Sequence, residues 1–114
     1  MEIYGSIPTI INVGNIFMQT FKFKTVGEYL GTRMLGAEVR KKLLALIQAN
    51  DKVVLDFTGV SVVSNSFADE CLAKLLQYHT LDELKRRTTF CGLDDFAKKN
   101  IAVAFRRRLA ESAS

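Results

Sequence analysis

The spacing of apolar and polar residues changes along the chain, and the changes predict where strands and helices lie. Two β-prone runs, Ile7 to Val13 and Ile16 to Lys24, flank the dipeptide Gly14-Asn15. Runs joined in this way are typical of a β-hairpin. Further on, residues 53–55 form a short apolar run that fits a strand buried on both faces.

Helical spacing follows in four segments. Thr32 is a plausible N-cap for the first, and Arg40 is expected on its solvent side. The second carries an apolar stripe, and the third opens with a capping box formed by Thr80 and Glu83. The last segment follows Gly92. The apolar stripe of the second helix is Phe67, Cys71, Leu75 and Tyr78, and the last helix turns Phe96, Ala97, Ile101, Ala104 and Phe105 inward.

The predicted element order is therefore ββαβααβα. The strand-helix-strand unit implies parallel neighbours, and the hairpin adds antiparallel pairing. We expect an α/β fold: a small mixed sheet with helices mainly on one face. The chain, residues 1–114, forms one domain with the hairpin at about 7–24, a core at about 25–110 and a frayed tail at 111–114.

The composition narrows the class of protein. No apolar run approaches the roughly 20 residues needed to cross a bilayer, and the start of the chain lacks a signal-peptide pattern, so a cytoplasmic protein without membrane attachment is expected. Cys71 and Cys91 are 20 residues apart and His79 is the single histidine, which disfavours a metal site. Both cysteines are expected to be reduced core residues. No cofactor is expected.

Catalytic patterns are missing from the sequence. We find no Ser-His-Asp set, metal cluster or phosphate-binding glycine loop, so we do not expect an enzyme. The charge is uneven: residues 1–84 hold 8 Lys/Arg against 9 Asp/Glu, whereas residues 85–114 hold 8 against 3. The surplus of positive charge therefore lies in the last quarter of the chain.

The loop between the central strand and the second helix is the candidate site, because sites in open α/β sheets form where strands give way to helices. Ser66 and Asp69 have the spacing of a capping box for this helix. Asn65, Asp69 and Glu70 would offer polar and acidic groups to a basic partner. Asp56, at the end of the strand, is expected to accept hydrogen bonds from loop amides.

Arg33 is a second candidate. It follows the predicted N-cap, with Gly36 one turn further on, and an arginine beside free amides could contact an anion. The alternative is a surface arginine and a glycine that permits close helix packing.

Several motifs of this chain resemble the STAS domain, the fold of bacterial anti-sigma-factor antagonists, over about residues 8–108. They are Gly27-Glu28-Tyr29-Leu30, the strand DKVVLDFTGV, the serine-bearing loop and TTFCGLDDF. The chain is more similar still to a subgroup of STAS-like domains of unknown function. That subgroup shares Thr32-Arg33-x-x-Gly36, and DF-x-G-V followed by Ser66-Phe67-Ala68-Asp69-Glu70.

In STAS antagonists the loop reads Asp-Ser-Ser-Gly, and its first serine is phosphorylated by a partner kinase with a histidine-kinase-like ATP fold. That position is Asn65 here, which cannot accept a phosphate, so Ser64 and Ser66 are the remaining candidates for phosphorylation. The resemblance implies a non-enzymatic regulatory module that docks such an ATPase or another cytoplasmic protein. The expected contacts are the second helix and Ser64, Asn65, Ser66, Phe67, Asp69 and Glu70.

Two other functions stay open. The C-terminal basic cluster, which includes Arg106, Arg107 and Arg108, could grip nucleic acid, but three consecutive helical residues point in three directions, which favours a solvated helix end. Nucleotide or small-molecule sensing at the helix N-termini is the second. The exposed edge of the hairpin also leaves a homodimer open.

Overall fold

A four-stranded mixed sheet with packed helices forms the centre of the protein. The computed structural model describes residues 10–13 and 16–113. In chain order the elements are β1 (Ile10–Val13), β2 (Ile16–Lys22), β3 (Tyr29–Leu30), α1 (Arg33–Ala49), β4 (Lys52–Asp56), β5 (Val62–Val63), α2 (residues 65–77), α3 (Leu81–Arg87), β6 (Thr88–Cys91) and α4 (Asp95–Ala113). The predicted mixed α/β architecture is present, and β3 and β5 are additions to the predicted order.

The main sheet has the strand order β1-β2-β4-β6. β1 and β2 pair antiparallel, as the hairpin prediction requires, while residues 7–9 and the turn Gly14-Asn15 lie outside the described residues. β2 ends at Lys22 and not at Lys24, because Phe23–Thr25 forms a 3₁₀ turn. β4 is parallel to both of its neighbours, so the run at 53–55 lies in the middle of the sheet.

The two faces of β4 differ in burial. Val53 and Leu55 are buried, whereas Lys52, Val54 and Asp56 alternate with them and are only half-buried. The strand is therefore fully covered on one face, not on both. This pattern fits helices that lie mainly on one face of the sheet.

A second, two-stranded parallel sheet of β3 and β5 was not predicted. Tyr29 pairs with Val62 and Leu30 with Val63, and only Leu30 and Val63 are buried. Strands of two residues are too short to show a period-2 pattern. The small sheet matters for the site, because it holds the segments that precede α1 and α2 side by side.

Both ends of α1 are satisfied by side chains. The hydroxyl of Thr32 accepts a hydrogen bond from the amide of Leu35 at 3.1 Å, which confirms the predicted N-cap. At the other end, Arg87 donates through Nη2 to the carbonyls of Ile47 at 2.6 Å and Asn50 at 2.8 Å. A cation at a helix C-terminus both fills the open carbonyls and complements the helix dipole.

The capping box that opens α3 is confirmed. The amide of Glu83 donates to the Thr80 hydroxyl at 3.1 Å, and the amide of Thr80 donates to the Glu83 carboxylate at 2.9 Å.

In α4, Phe96 is 81% exposed, so its predicted inward position is wrong: the helix instead turns the adjacent Ala97 to the core. α4 continues to Ala113, so the helix includes most of the predicted tail, and Ser114 lies outside the described residues.

The two cysteines have different surroundings. Cys71 is buried in the core, and this burial raises the pKa of its thiol. Cys91 is exposed, so its predicted core position is wrong. It pairs in register with Asp56 at the end of β6, an edge strand of the main sheet.

Three phenylalanines join the sheet to the start of α2. The rings of Phe23 and Phe57 stack with their centroids 3.9 Å apart, and Phe67 meets Phe23 edge-on at 6.4 Å. All three are buried. Phe23 follows β2, Phe57 follows β4 and Phe67 lies in the first turn of α2. This cluster therefore fixes the first turn of α2 against the sheet.

Gln19 provides a test of this core. It is 1% exposed, and its Nε2 atom has no hydrogen-bond partner within residues 10–13 and 16–113. A buried unsatisfied polar group costs about 1–3 kcal/mol. Gln19→Met also removes the Oε1 atom that accepts a long bond of 3.5 Å from Asn50 Nδ2, but Asn50 keeps its 3.0 Å bond to the carbonyl of Leu46. The substitution should therefore raise the free energy of unfolding by about 1 kcal/mol in urea titrations. Gln48→Met, at an exposed position of α1, should change it by less than about 0.5 kcal/mol. A less stable Gln19→Met variant would contradict this account.

Candidate functional site

Helix α2 begins directly after Ser64, which is its N-cap. The Ser64 hydroxyl accepts a hydrogen bond from the amide of Phe67 at 3.0 Å and donates to the carbonyl of Gly31 at 2.9 Å. The predicted capping box of Ser66 and Asp69 is therefore wrong, because the helix starts two residues earlier. The side chains of Ser66 and Asp69 therefore take no part in capping α2.

The middle of α2 is not a regular α-helix. Asn65–Phe67 is α-helical, Ala68–Leu72 forms a π turn, and Ala73–Gln77 is a 3₁₀ turn. The amide of Ala73 donates to the carbonyl of Ala68, five residues back. Single π turns within helices are frequent at functional sites. Tyr78, expected on the buried stripe, follows the 3₁₀ turn and is exposed.

Glu70 in the π turn is a buried carboxylate surrounded by cations. It is 8% exposed, and its Oε2 atom accepts from Arg40 Nη1 and Lys74 Nζ, each at 2.9 Å. Its Oε1 atom accepts from Arg33 Nη1 at 3.2 Å, and Arg40 also donates to the backbone carbonyl of Glu70. Burial alone would raise the pKa of Glu70, but the three cations outweigh burial and lower the pKa to about 2.

Asp69, the preceding residue, joins α2 to α4. Arg108 donates to its two oxygens through Nε at 2.8 Å and Nη2 at 2.7 Å, and Arg33 Nη1 donates at 2.8 Å. The bidentate bond from Arg108 is the main cause that lowers the pKa of Asp69 to about 2; burial opposes it and Arg33 assists. The Glu70 cluster is the name used below for Arg33, Arg40, Asp69, Glu70, Lys74 and Arg108.

The charges of the Glu70 cluster correct two sequence-based expectations. Four cations surround two carboxylates, so Asp69 and Glu70 are neutralised internally and offer no acidic surface to a basic partner. Arg40 and Arg108 were expected in solvent, but their side chains are 14% and 24% exposed and are bound to the two carboxylates. Lys74 could have been found from sequence, since it lies four residues after Glu70. The other cations come from distant helices.

Gly36 makes the close approach of α1 to this cluster possible. A Cβ atom at this position would lie 3.0 Å from the Cβ of Glu70 and 3.2 Å from the amide nitrogen of Cys71. The close-packing alternative for Gly36 is therefore the one that the structure supports. Among the described residues, Arg33 donates hydrogen bonds to Asp69 and Glu70.

The predicted contact residues of the loop are divided between the interior and the surface. Phe67 is 0% exposed and Glu70 is buried, so neither side chain can form a contact surface as predicted. Asn65 is exposed, while Ser64 and Ser66 are half-buried. The accessible part of the site is therefore centred on Asn65 and Ser66.

A polar cavity of about 390 Å³ lies beside this accessible part. Arg33 of α1, Asn65 and Ser66 of α2, and Arg107 and Arg108 of α4 contribute polar groups to its walls. The cavity was not predicted, because nothing in the local sequence indicates that the last turns of α4 lie against the start of α2.

Asp56 behaves as expected. Its Oδ1 atom accepts a hydrogen bond from the amide of Thr58 at 2.9 Å, which confirms the predicted loop contact. Partial burial would raise the pKa of Asp56, but hydrogen bonds from Thr58 and Cys91 hold it below its ordinary value.

Among the described residues, no three His, Cys, Asp or Glu side chains are grouped as metal ligands would be. Nor does any helix there have both the length and the apolar character of a membrane span.

The fold and the site define a small mixed α/β domain whose polar centre lies where α2 begins. The model of the STAS-like domain of unknown function matches residues 36–96, just over half of the chain, and the protein belongs to this family. The match includes Asp69, Glu70 and Arg40, whereas Arg33 and Arg108 lie outside it. No curated protein and no solved structure matches the chain significantly.

The Glu70 cluster should make stability depend on pH in acid. The folded-state pKa values of Asp69 and Glu70 lie below their ordinary values of 3.8 and 4.5, so their stabilisation is complete above about pH 5 and is lost as the pH falls towards 2. Glu70→Gln should lower the free energy of unfolding at pH 7 by about 3 kcal/mol. Urea titrations from pH 7 to 2.5 should also show a shallower pH dependence for this variant.

Glu28→Gln is the control for this measurement, because Glu28 forms a surface ion pair with Lys24 and is half exposed. It should change stability by less than about 1 kcal/mol at any pH. If Glu70→Gln kept the full pH dependence of the wild type, Glu70 would not act as described.

Gly36→Val tests the close approach of α1 and α2. Its side chain would press on Glu70 and on the backbone of Cys71, so we expect a loss of about 2 kcal/mol in the free energy of unfolding. Ala45→Val places the same side chain at an exposed position of α1 and should cost about 0.5 kcal/mol. Equal losses in the two variants would show that α1 can move away from α2 freely.

Proposed function

We propose that this protein is a non-enzymatic regulatory module that binds a protein partner through the surface where α2 begins. The α2 start surface is the name used here for Asn65, Ser66, Arg33 and Arg107, which lie around the mouth of the polar cavity. The proposal corresponds to what the STAS resemblance implies, namely docking of a histidine-kinase-like ATPase or another cytoplasmic protein.

The rigid mounting of exposed polar groups is the single observation that carries this proposal. Asn65 and Ser66 lie between Ser64, fixed by its bonds to Phe67 and Gly31, and Phe67, packed in the core. The next turn is fixed by the ion pairs of Glu70. A surface held in one conformation loses less entropy when a partner binds.

The charge of the surface determines the partner's chemistry. Arg33 is half exposed and Arg107 is exposed, while the nearby carboxylate of Asp69 is paired with Arg33 and Arg108. The α2 start surface is therefore neutral to basic. We expect the partner to present acidic or polar groups, which is the reverse of the basic partner that the sequence suggested.

The state of the titratable groups supports a non-enzymatic role. Asp69 and Glu70, with pKa values of about 2, are ionised and fully paired at neutral pH, so neither is suited to transfer protons. The thiol of Cys71 is buried, and burial raises its pKa. The Nδ1 atom of His79 lies 3.7 Å from Oε1 of Glu83 near the far end of α2, and His79 does not line the polar cavity.

Ser66 is the better candidate of the two serines for phosphorylation. The Ser64 hydroxyl caps α2 and donates to the carbonyl of Gly31, so a phosphate there would remove the donated proton and place negative charge against that carbonyl. Ser66 lines the cavity and, within the described part of the chain, its hydroxyl has no hydrogen bond.

A photo-cross-linking amino acid at position 65 tests the proposal in cells. We expect it to capture a partner that the same amino acid at position 77 does not capture. Position 77 is an exposed residue at the other end of α2. The captured protein is then purified, and its binding is measured by calorimetry.

Matched charge variants complete the test. Asn65→Glu should weaken binding by about tenfold or more, because it places a carboxylate against the acidic or polar groups of the partner, whereas Gln77→Glu should change affinity by less than about twofold. Equal affinities for Asn65→Glu and Gln77→Glu would reject the α2 start surface as the contact. Turnover of a substrate by the purified protein would reject the non-enzymatic role.

A further inference from the structure

We propose that the polar cavity between α1, α2 and α4 binds a small oxyanion of the phosphate or phosphate-monoester class. The inference concerns a ligand of the isolated protein and does not depend on a protein partner. It rests on how hydrogen-bond donors and acceptors are distributed around a cavity of about 390 Å³.

Two arginines of the cavity have donors to spare. Arg33 makes both of its bonds to Asp69 and Glu70 through Nη1 alone. Arg108 uses Nε and Nη2 on Asp69. Within residues 10–13 and 16–113, Nε and Nη2 of Arg33 and Nη1 of Arg108 have no protein acceptor. Arginine forks of this kind match the geometry of phosphate oxygens.

Three more donors reach the cavity without being used in the fold. Arg107 is exposed and makes no hydrogen bond or ion pair with any described residue. The hydroxyl of Ser66 and the amide of Asn65 are likewise unbonded in the described chain. These groups come from separate elements, α2 and α4, which both line this cavity.

The acceptors of the cavity are largely occupied. Asp69 receives bonds on both oxygens, from Arg108 on Oδ1 and from Arg33 and Arg108 on Oδ2. It therefore fixes the two guanidinium groups in place while its own charge is compensated. Glu111 also lines the cavity and interacts with Arg108. Three arginines against two carboxylates leave the walls with a net positive charge.

The size and polarity of the cavity define the class of ligand. Its volume falls in the range of about 300–1,000 Å³ that is typical of small-molecule sites, and it exceeds the space needed for one phosphate group. Its walls are mainly polar, which disfavours an apolar ligand. A small phosphorylated molecule fits both properties.

Binding can be measured on the intact protein with two probes at constant ionic strength, inorganic phosphate and adenosine 5′-monophosphate. Amide chemical shifts from nuclear magnetic resonance should change saturably at residues 65–69 and 104–108. If both probes give saturable shifts, the phosphate group is the part of the ligand that the cavity recognises. If adenosine 5′-monophosphate binds more tightly than inorganic phosphate, the cavity also contacts the rest of the ligand. Adenosine without phosphate serves as the neutral comparison and should not bind.

Neighbouring arginines of α4 provide a matched pair of variants. Arg107→Gln removes an unbonded donor of the cavity and should weaken binding by about tenfold, since one charge-assisted hydrogen bond contributes that much. Arg106→Gln removes the same charge from an exposed position that does not line the cavity, and should change affinity by less than about twofold.

Three results would overturn the inference. They are the absence of saturable shifts with either phosphate probe, equal weakening by Arg106→Gln and Arg107→Gln, and shifts that map away from the cavity. Circular dichroism of both variants checks that the fold is retained, which is expected because both arginines are exposed.

Discussion

The packing of α1 against α2 depends on the buried carboxylate of Glu70, while the adjacent carboxylate of Asp69 joins α4 to them. Burying a charge is costly unless cations and hydrogen bonds compensate it, and here Arg40 and Lys74 approach one oxygen while Arg33 approaches the other. Arg40 can reach Glu70 only because Gly36 lets the backbones of α1 and α2 come close. Removing the Glu70 carboxylate leaves Arg40 and Lys74 without the ion pairs shown here, so this one side chain helps to hold α1 and α2 in a single relative position.

The π turn explains how consecutive residues serve different helices. In it, Asp69 bonds to Arg108 of α4 while Glu70 bonds to Arg40 of α1. The neighbouring first turn of α2 is fixed by Phe67 in the core. Between the Ser64 cap and the buried Phe67, Asn65 and Ser66 remain towards solvent, so residues 64–70 yield only a small accessible surface.

Local patterns predicted much of the fold. The central strand, the Thr32 cap and the Thr80 capping box depend on neighbouring residues, and all three are present. The start of α2 was placed wrongly because Ser64 and Ser66 both satisfy the local rule, and the choice depends on Gly31, 33 residues away. Arg108 was assigned to solvent for the same reason: its acceptor, Asp69, lies 39 residues earlier, and sequence spacing alone does not bring them together.

These long-range pairs also reverse the electrostatic character of the site. Read along the chain, Asn65, Asp69 and Glu70 form a polar and acidic loop. In the fold, four cations surround the two carboxylates, and the other polar residues at the cavity are an amide, a hydroxyl, arginines and a single further carboxylate, Glu111. An asparagine at the position where STAS antagonists carry their phosphoacceptor therefore lies in a field that favours negative charge. Such a field favours an anion over a cation at this position, which is the opposite of what the acidic residues of the local sequence suggest.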